Sequence, residues 1–340
     1  MSSHRLCVIE GDGIGKEVVP AAVAVLRAVL PGLQVIPAEA GWECFQKHGV
    51  SVPQVTLQTI RDCGAAIFGA VQSPARKVEG YRSAIITMRQ SLDLYANIRP
   101  VKSLPRLSPR QDIDMIIVRE NTEGMYSGRE HMDGETAIAE RVITRYASTR
   151  IGEKAVELLK AGNRTKLSII HKANIMPLTD GLFRDSVRDV VARFRTEQDT
   201  WAVEEILVDT AANKVISEPE KLDVMVTTNL FGDILSDEAA FWAGGMGMAA
   251  SINLGRDVAV AEPVHGSAPD IAGKGIANPI AAILSAGLLL RYQWNLPAEA
   301  LRVEQAVYGA LESGLPVIDG RIAAGTSTET ITRSILDRLD

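Results

Sequence analysis

The chain has 340 residues, of which 46% are hydrophobic and only 5% aromatic, and its formal net charge is −6. This length suits two domains or one large α/β unit, and the scarcity of aromatic residues favours helices packed on a sheet over a β-sandwich. The acidic balance argues against a nucleic-acid-binding protein, which normally carries a basic face.

The cysteines and the N-terminal residues indicate the compartment. Cys7, Cys44 and Cys63 form no Cys-x-x-Cys pair, so we expect small buried side chains in a reducing environment. The first residues show neither signal-peptide nor transit-peptide composition, and the most apolar run, 280–290, is too short to span a membrane. We therefore expect a cytoplasmic protein without a membrane partner.

The first hundred residues predict alternating strands and helices. The predicted strands are 6–9, 33–38 and 65–68, and the predicted helices are 18–30, 41–49, 55–63 and 83–92. The turn after the first strand, Gly11-Asp12-Gly13-Ile14-Gly15-Lys16, is not a dinucleotide fingerprint, because Lys16 occupies the place of the third glycine. We interpret it as a glycine-rich strand-to-helix turn.

A Pro-rich polar stretch, 100–111, predicts a crossover into a second domain. Beyond it the predicted strands are 114–118, 167–171, 202–208, 223–228 and 258–262, with a β-prone run at 136–146. The predicted helices are 149–161, 183–194, 279–294, 298–312 and 328–339. Three of these strands end in Arg119, Lys172 and Asp209. Charged residues repeated at successive strand ends indicate a functional site.

A fourth strand end leads into two aspartates. Residues 229–232 predict a turn and Asp233 the start of a helix, so Asp233 and Asp237 lie one helical turn apart. Like charges at this spacing cost about 0.2–0.5 kcal/mol unless a cation lies between them. Carboxylates so placed suit Mg²⁺ or Mn²⁺. The alternative is that Asp233 caps the helix and Asp237 is solvated.

Six motif runs, of which the last is the most specific, lie at 11–15, 93–100, 119–124, 171–174, 229–233 and 262–279. Together they resemble the motifs of the β-decarboxylating dehydrogenases, which include isocitrate, 3-isopropylmalate, homoisocitrate and tartrate dehydrogenases. The resemblance implies an α/β, isopropylmalate dehydrogenase-like two-domain fold that is not of the Rossmann type. It implies a large cofactor-binding domain of residues 1–100 and 256–340. A small domain, 101–255, would bind substrate and metal and dimerise, with a cleft between the two.

The resemblance also implies roles for single residues. Arg89, Arg99 and Arg119 would clamp the carboxylates of a malate-like core, for which guanidinium forks are suited. The full implied substrate-binding set is Ser73, Arg89, Arg99, Arg119, Tyr126, Lys172 and Asn174. Mg²⁺ or Mn²⁺ would be held by Asp209, Asp233 and Asp237, with one aspartate supplied across a dimer interface.

The implied reaction is oxidation of an alcohol to a ketone and loss of CO₂. Lys172 would take the hydroxyl proton while hydride passes to nicotinamide, and Tyr126 would protonate the carbon after decarboxylation. As alternatives, Tyr126 merely packs and Lys172 pairs with an acid.

The cofactor implied by the resemblance is NAD. Asp270-Ile271 stands where the family contacts the adenosine ribose, and a carboxylate there repels a 2′-phosphate, whereas NADP-using relatives show Lys and Tyr. The implied cofactor-binding residues are His265, Gly266, Ser267, Ala268, Asp270, Ile271 and Asn278.

Substrate choice in the family depends on the segment before Arg89. Here the run Lys77-Val78-Glu79-Gly80-Tyr81 with Ser83 and Ile85 is similar to homoisocitrate dehydrogenases of lysine biosynthesis through aminoadipate. Ser73 would help to hold the distal carboxylate. Some of those enzymes carry arginine at the position of Ile86, and Arg82 would replace that charge only if it pointed inward. Isocitrate and 3-isopropylmalate remain alternative substrates.

Two non-enzymatic classes compete with this interpretation. A regulatory subunit of the family would have lost the metal aspartates or the lysine, and all are present. A nucleotide-binding switch would need Gly-x-x-x-x-Gly-Lys-Ser/Thr, which does not occur. The apolar Phe241-Trp242 pair and the segment 127–146 indicate a homodimer or a dimer of dimers, as the family does.

Overall fold

The computed structural model describes residues 4–74, 76, 78–318 and 320–339. Its mixed α/β architecture confirms the predicted fold class. The chain forms two compact units. The first unit runs up to Leu94 and also contains Ser103–Gln111 and the chain from Ala240 onward. The second unit comprises Tyr95–Lys102 and Asp112–Ala239. Its borders differ from the predicted domain borders at 100 and 255, and the domain assignment itself stays a prediction.

Strands and helices alternate through most of the chain. The strands are β1 (Arg5–Gly11), β2 (Gln34–Pro37), β3 (Ala65–Ala70), β4 (Ala96–Lys102), β5 (Asp114–Glu120), β6 (Glu130–Asp133), β7 (Thr136–Ala139), β8 (Lys166–His171), β9 (Ala202–Leu207), β10 (Val224–Thr227), β11 (Ala250–Leu254), β12 (Ala259–Pro263), β13 (Val317–Ile318) and β14 (Arg321–Ile322). The α-helices are α1 (Gly15–Val29), α2 (Trp42–His48), α3 (Gln54–Cys63), α4 (Ala84–Ser91), α5 (Arg145–Ala161), α6 (Thr179–Phe194), α7 (Val208–Ser217), α8 (Asn229–Ala239), α9 (Ile280–Leu288), α10 (Pro297–Glu312) and α11 (Thr328–Leu336).

The sheet of the first unit has the strand order β2-β1-β3-β12-β11. The first four strands are parallel and β11 is antiparallel to β12. Every residue of β3 is buried, as expected for a parallel strand covered on both faces. The parallel strands therefore end at one edge, which carries the loops after β1, β3 and β12.

The core of this unit includes two of the three cysteines. Cys7 packs with Ile9, Phe68 and Met88 in one apolar cluster. Cys44 is buried and Cys63 is half-buried, and all three thiols are free, which agrees with the expected role of small apolar side chains. Burial raises the pKa of the Cys7 thiol to about 12, so this thiol stays protonated at neutral pH.

The glycines of the turn after β1 are required by close backbone approach. A Cβ at Gly11 would lie 2.1 Å from the carbonyl oxygen of Ala70, and one at Gly13 would lie 2.1 Å from that of Ser267. Both glycines also have positive φ angles, +71° and +58°. The turn thereby fits against both the strand β3 and the loop after β12.

The sheet of the second unit has the strand order β4-β5-β10-β8-β9. Only β4 is antiparallel to its neighbour, whereas β5, β10, β8 and β9 all run in the same direction. The carboxyl ends of these four strands share one edge of the sheet. Arg119 is the penultimate residue of β5, and Lys172 follows β8 directly, so the predicted gathering of charges at one sheet edge is confirmed.

Two helices and one strand differ from the predictions. The helix α7 was not predicted, and it carries Asp209 in its first turn, two residues after β9 ends. The helix α8 begins at Asn229, not at Asp233. Asn and Gly suggested a turn at 229–232 by propensity, but long-range bonds of Asn229 override it. Strand β11 was not predicted because Ser251 and Asn253 are polar, yet they bond to the neighbouring strand β12.

Among the residues that the structure describes, no helix is both long and apolar enough to cross a lipid bilayer.

Asp223 joins the starts of β8 and β10. Its carboxylate accepts the main-chain N–H groups of Thr165 and Lys166 at 2.6 and 3.1 Å and pairs with Arg164 at 3.0 Å. We predict that Asp223→Ala lowers the free energy of unfolding by about 2–4 kcal/mol, because two amides lose their acceptor and Arg164 keeps only Asp114 as an ion-pair partner. Urea unfolding measures this loss. Exposed Glu197 supplies the control, Glu197→Ala, which should change stability by less than about 0.5 kcal/mol. Equal midpoints for the two variants would contradict the role of Asp223.

Candidate active site

Asp233 and Asp237 lie one turn apart on α8, as their spacing predicted, and Arg99 reaches both. Arg99 Nη1 donates to Asp237 Oδ1 at 3.0 Å and to Ser236 Oγ at 2.6 Å. Its Nη2 lies 3.5 Å from Asp233 Oδ1. The sequence predicts a cation between the two carboxylates. Within the single chain, the positive charge between them is the guanidinium of Arg99 from β4.

Arg119 is the most deeply buried charge of the site, with 1% of its side chain exposed. Its Nη1 bonds to Asp233 Oδ1, while Nε and Nη2 donate to Asn229 Oδ1 at 3.0 and 2.7 Å. Both acceptors are on α8. A buried guanidinium keeps its charge and so requires such partners. Arg119 therefore fixes the start of α8 against β5.

Gly232 makes this contact possible. A Cβ at Gly232 would lie 2.7 Å from Cγ and 2.8 Å from Cβ of Arg119. These atoms are next to the main chain of β5, so they cannot swing aside as the end of a flexible side chain could. The sequence Asn229-Leu-Phe-Gly232-Asp233 thus places two acceptors around one guanidinium and leaves no side chain between them.

Tyr126 completes this group of five residues, which we call the Arg–Asp cluster (Arg99, Arg119, Tyr126, Asp233 and Asp237). The Tyr126 hydroxyl donates to Asp233 Oδ2, and the Arg119 guanidinium lies 5.2 Å from the centre of its ring. Burial raises the pKa of Tyr126, the bond to Asp233 raises it further, and the charge of Arg119 opposes this. The hydroxyl is therefore protonated at neutral pH.

The two carboxylates of the Arg–Asp cluster fit one side of a divalent-cation site. Burial raises the pKa of Asp237, and the negative charge of Asp233 adds to this, while Arg99 opposes it. Asp237 still exposes about half of its side chain, 53%. Two hard oxygen donors with an open side are a donor set that Mg²⁺ or Mn²⁺ accepts.

Lys172 and Asp209 form a separate pair. Lys172 Nζ bonds to Asp209 Oδ1, and this bond lowers the pKa of Asp209. Lys172 is half-buried, whereas Asp209 exposes 63% of its side chain. Asn174 is exposed in the turn that follows Lys172. The structure thus shows the alternative in which Lys172 pairs with an acid.

The three predicted metal ligands do not meet within the chain. Among the described residues, one group of three possible metal ligands has its ligand atoms within 4.8 Å of one another. It consists of Glu39, Cys44 and His48. Both carboxylate oxygens of Glu39 are bonded to Lys47 and His48. Convergence of Asp209 with Asp233 and Asp237 stays a prediction that needs a second copy of the chain.

Arg89, in the first unit, is held by a buried glutamate. Its Nη2 donates to Glu262 Oε1 at 2.9 Å, and the same oxygen accepts Asn253 Nδ2 at 2.8 Å. The Nε of Arg89 is buried and has no acceptor among the described residues. One donor of the guanidinium is therefore unsatisfied, although Glu262 balances its charge.

The loop after β12 carries the residues predicted to bind the cofactor. Ser267 accepts the main-chain N–H of Ile14 at 2.9 Å, and Ala268 has a positive φ of +38°. Glu17 of α1 accepts the N–H groups of Gly273 at 2.7 Å and Ala277 at 3.3 Å. These bonds fix the loop at both ends against the start of α1.

The predicted cofactor-binding residues differ in exposure. Gly266 and Asp270 are exposed, and Ile271 is half-buried. Burial lowers the pKa of His265, so its imidazole is neutral at neutral pH. Asn278 is buried, donates to the Gly320 carbonyl at 2.9 Å and accepts the N–H of Ile280 at 3.1 Å. Asn278 thus supports the start of α9.

The loop between β3 and α4 holds the predicted specificity residues. Ser73 is exposed, and Ser83 directly precedes α4. Arg82 is exposed and donates to Gln90 Oε1 at 3.0 Å, so its guanidinium is in contact with solvent. Ala75 and Lys77 of this segment lie outside the described residues, so the structure does not bear on the part of the specificity motif that rests on Lys77.

Four residues that support the site were given no role by the sequence analysis: Glu17, Asn229, Ser236 and Glu262. Asn229 and Glu262 are the first residues of two of the motif runs, and this position in the sequence could have indicated their supporting role. Glu17 and Ser236 gave none, because each acts through a long-range contact.

Three comparisons with known proteins bear on the site. A family model described as isocitrate/isopropylmalate dehydrogenase matches residues 5–335. The chain is 50% identical over 337 residues to the isocitrate/homoisocitrate dehydrogenase of Thermus thermophilus, covering 99% of both. It is 48% identical over 300 residues to the homoisocitrate dehydrogenase of Methanocaldococcus jannaschii, covering 85% of both. The crystal structure of isocitrate dehydrogenase from Methylococcus capsulatus superposes with a TM-score of 0.92 at 38% identity, covering 99% of both chains.

We predict that Gly232→Ala disrupts the Arg–Asp cluster. The new methyl group would displace Arg119 or lift α8, which should lower the free energy of unfolding by about 1–3 kcal/mol, as for other overpacked core positions. Gly181→Ala is the matched control, because a Cβ at Gly181 in α6 would meet no atom within 4 Å. It should be neutral or stabilise by up to about 1 kcal/mol. Chemical denaturation compares the two, and equal effects would refute the packing argument.

Proposed function

Because the chain belongs to the isocitrate/isopropylmalate dehydrogenase family, we propose that it oxidises and decarboxylates a 2-hydroxy-3-carboxy acid with NAD and a divalent cation. The preferred substrate of this proposal is homoisocitrate, which would give 2-oxoadipate in lysine biosynthesis. The observation that carries the proposal is the Arg–Asp cluster, which combines two guanidinium groups, two carboxylates and a protonated phenol at one sheet edge.

The arginines supply the carboxylate recognition in this proposal. Arg99 and Arg119 are bound to carboxylates of the chain itself, which shows that their forks accept such partners. Arg89 keeps a buried Nε donor without an acceptor among the described residues, and a substrate carboxylate would satisfy it. The convergence of all three on one substrate remains part of the proposal.

Asp233 and Asp237 would hold Mg²⁺ or Mn²⁺ together with Asp209 of a second copy. When bound, the cation would polarise the substrate oxygen and balance the charge that develops during oxidation and decarboxylation. Arg99 and Arg119 keep both aspartates of α8 oriented before it binds.

Two side chains of the protein would move protons. Lys172 Nζ, after releasing a proton of its own to solvent, would take the proton of the substrate hydroxyl, while the hydride on the hydroxyl-bearing carbon passes to NAD and the alcohol becomes a ketone. Asp209 holds this amine. After CO₂ leaves, Tyr126 Oη would donate its proton to the carbon that bore the carboxylate. The raised pKa of Tyr126 supports this acid role because the hydroxyl carries its proton at neutral pH.

Homoisocitrate is preferred on two grounds. The two relatives compared above are named for homoisocitrate, one of them jointly with isocitrate. In addition, Ser73 lies in the loop before α4, and Ser83 directly precedes this helix, which carries Arg89. A distal carboxylate bound beside this loop would need such polar partners. Isocitrate and 3-isopropylmalate are the alternative substrates.

NAD is preferred because Asp270 is exposed on the loop after β12. An exposed carboxylate can accept bonds from both ribose hydroxyls and repels a 2′-phosphate.

We expect NAD reduction with homoisocitrate, isocitrate or 3-isopropylmalate only when Mg²⁺ or Mn²⁺ is present. Steady-state kinetics with NAD and with NADP should give the highest kcat/KM for homoisocitrate and NAD, and a chelator should lower the rate at least about a hundredfold. Added Mg²⁺ should restore it. Metal-independent turnover, or no turnover of any such acid, would show the proposal to be wrong.

We propose that the active site is shared between two copies, since Lys172 and Asp209 pair away from the other aspartates. The variants Lys172→Ala and Asp233→Asn should each lose at least about a hundredfold in kcat. When co-expressed, half of the dimers are mixed, and each mixed dimer regains one intact site, so about a quarter of the wild-type activity should return.

The control for this experiment is the pair Lys172→Ala and Asp209→Asn, which lie in the same half-site and cannot complement each other. If the first pair also fails to regain activity while forming mixed dimers, the site lies within one chain.

A further inference from the structure

The loop between β3 and α4 is held at Gln72 by a buried carboxylate. Asp12, which is fully buried, accepts the main-chain N–H of Gln72 at 2.8 Å. The same carboxylate accepts the N–H groups of Trp42 at 2.7 Å and Glu43 at 3.0 Å. Gly41 permits this approach, because a Cβ there would lie 2.6 Å from Asp12 Oδ2. Asp12 thus joins the loop to the start of α2.

A tyrosine holds the same loop from its other end. The Tyr81 hydroxyl lies 3.4 Å from the carbonyl oxygen of Gln72, the residue that directly precedes Ser73. Burial raises the pKa of Tyr81, with a smaller contribution from the charge of Asp12. The main chain of Gln72, next to Ser73, is therefore held at its N–H by Asp12 and at its carbonyl by the Tyr81 hydroxyl.

The ring of Tyr81 is oriented by two aromatic residues of α2. It meets Trp42 at a centroid distance of 5.2 Å and 83°, and Phe45 at 5.2 Å and 81°. Trp42 and Phe45 stack on each other at 5.6 Å. Edge-to-face contacts fix both the position and the tilt of a ring. Asp12 bonds both to the start of α2 and to Gln72. The helix α2 therefore supports the Tyr81 ring directly and is joined to Gln72 through Asp12.

We propose that Tyr81 is a positioning residue that sets Ser73 for a distal carboxylate of the substrate, with α2 as its support. This rests on the proposed function, in which Ser73 binds that carboxylate. An exposed serine on a free loop must be ordered when substrate binds, whereas a serine fixed beforehand avoids this entropic cost. Tyr81 therefore matters for acids that carry a distal carboxylate and not for the malate core.

The test compares homoisocitrate with malate, which keeps the hydroxyl and both inner carboxylates but lacks the distal one. Tyr81→Leu keeps an apolar side chain between Trp42 and Phe45 and loses the ring and its hydroxyl. We expect it to raise KM for homoisocitrate about tenfold with little change in kcat. The kcat/KM for malate should change by less than about threefold.

Two further variants separate the causes. Tyr81→Phe keeps the ring contacts and loses only the hydroxyl, and it should raise KM for homoisocitrate by about threefold. Tyr308→Leu, at a half-buried tyrosine of α10, is the matched control and should leave the kinetics with both substrates unchanged. Thermal unfolding midpoints of all variants monitor folding.

The outcomes are distinguishable. Equal losses for homoisocitrate and malate in Tyr81→Leu would reduce Tyr81 to a structural residue, and unchanged kinetics for both would also overturn the proposal. A wild-type protein that turns over neither acid, with any divalent cation and either cofactor, would instead refute the proposed function and with it this inference.

Discussion

The bond between Arg119 and Asp233 is the constraint on which the rest of the candidate site depends. A guanidinium that exposes 1% of its side chain cannot lose its charge, so the chain must supply acceptors close by. Asn229 and Asp233 supply them from the first two turns of α8. This arrangement requires glycine at 232 and places Ser236 and Asp237 beside Arg99.

Opposite charges in the Arg–Asp cluster balance each other without a ligand. Two arginines face two aspartates, so neither sign is left buried alone. In the proposed reaction, substrate carboxylates would replace the two aspartates as partners of the arginines. A cation would replace the arginines as the partner of the aspartates. Such an exchange keeps the local charge nearly constant, which limits the electrostatic cost of moving between the free and the bound states.

In the first unit, acidic side chains hold the loops at the carboxyl edge of the sheet. Asp12 accepts three main-chain N–H groups, and Glu17 accepts two from the loop after β12. Glu262 orients the Arg89 side chain. A single carboxylate can accept several bonds, so it connects segments far apart in the chain with little added bulk. The functional loops of this unit are thus fixed by residues outside the predicted site set.

The sequence by itself determined most of the order of strands and helices, though not α7 or β11. It also determined the burial of Cys7 and Cys44 and the placement of Asp233 and Asp237 on one helix face, because periodicity and spacing are local properties. It also indicated that Arg119 and Lys172 stand at strand ends. Only the tertiary structure decided that α8 begins at Asn229, that Asp209 belongs to a helix, and that Asp12 and Glu262 hold other segments. These features depend on contacts between residues more than 25 positions apart in the sequence, and strand order, which no local pattern encodes, decides which of them form.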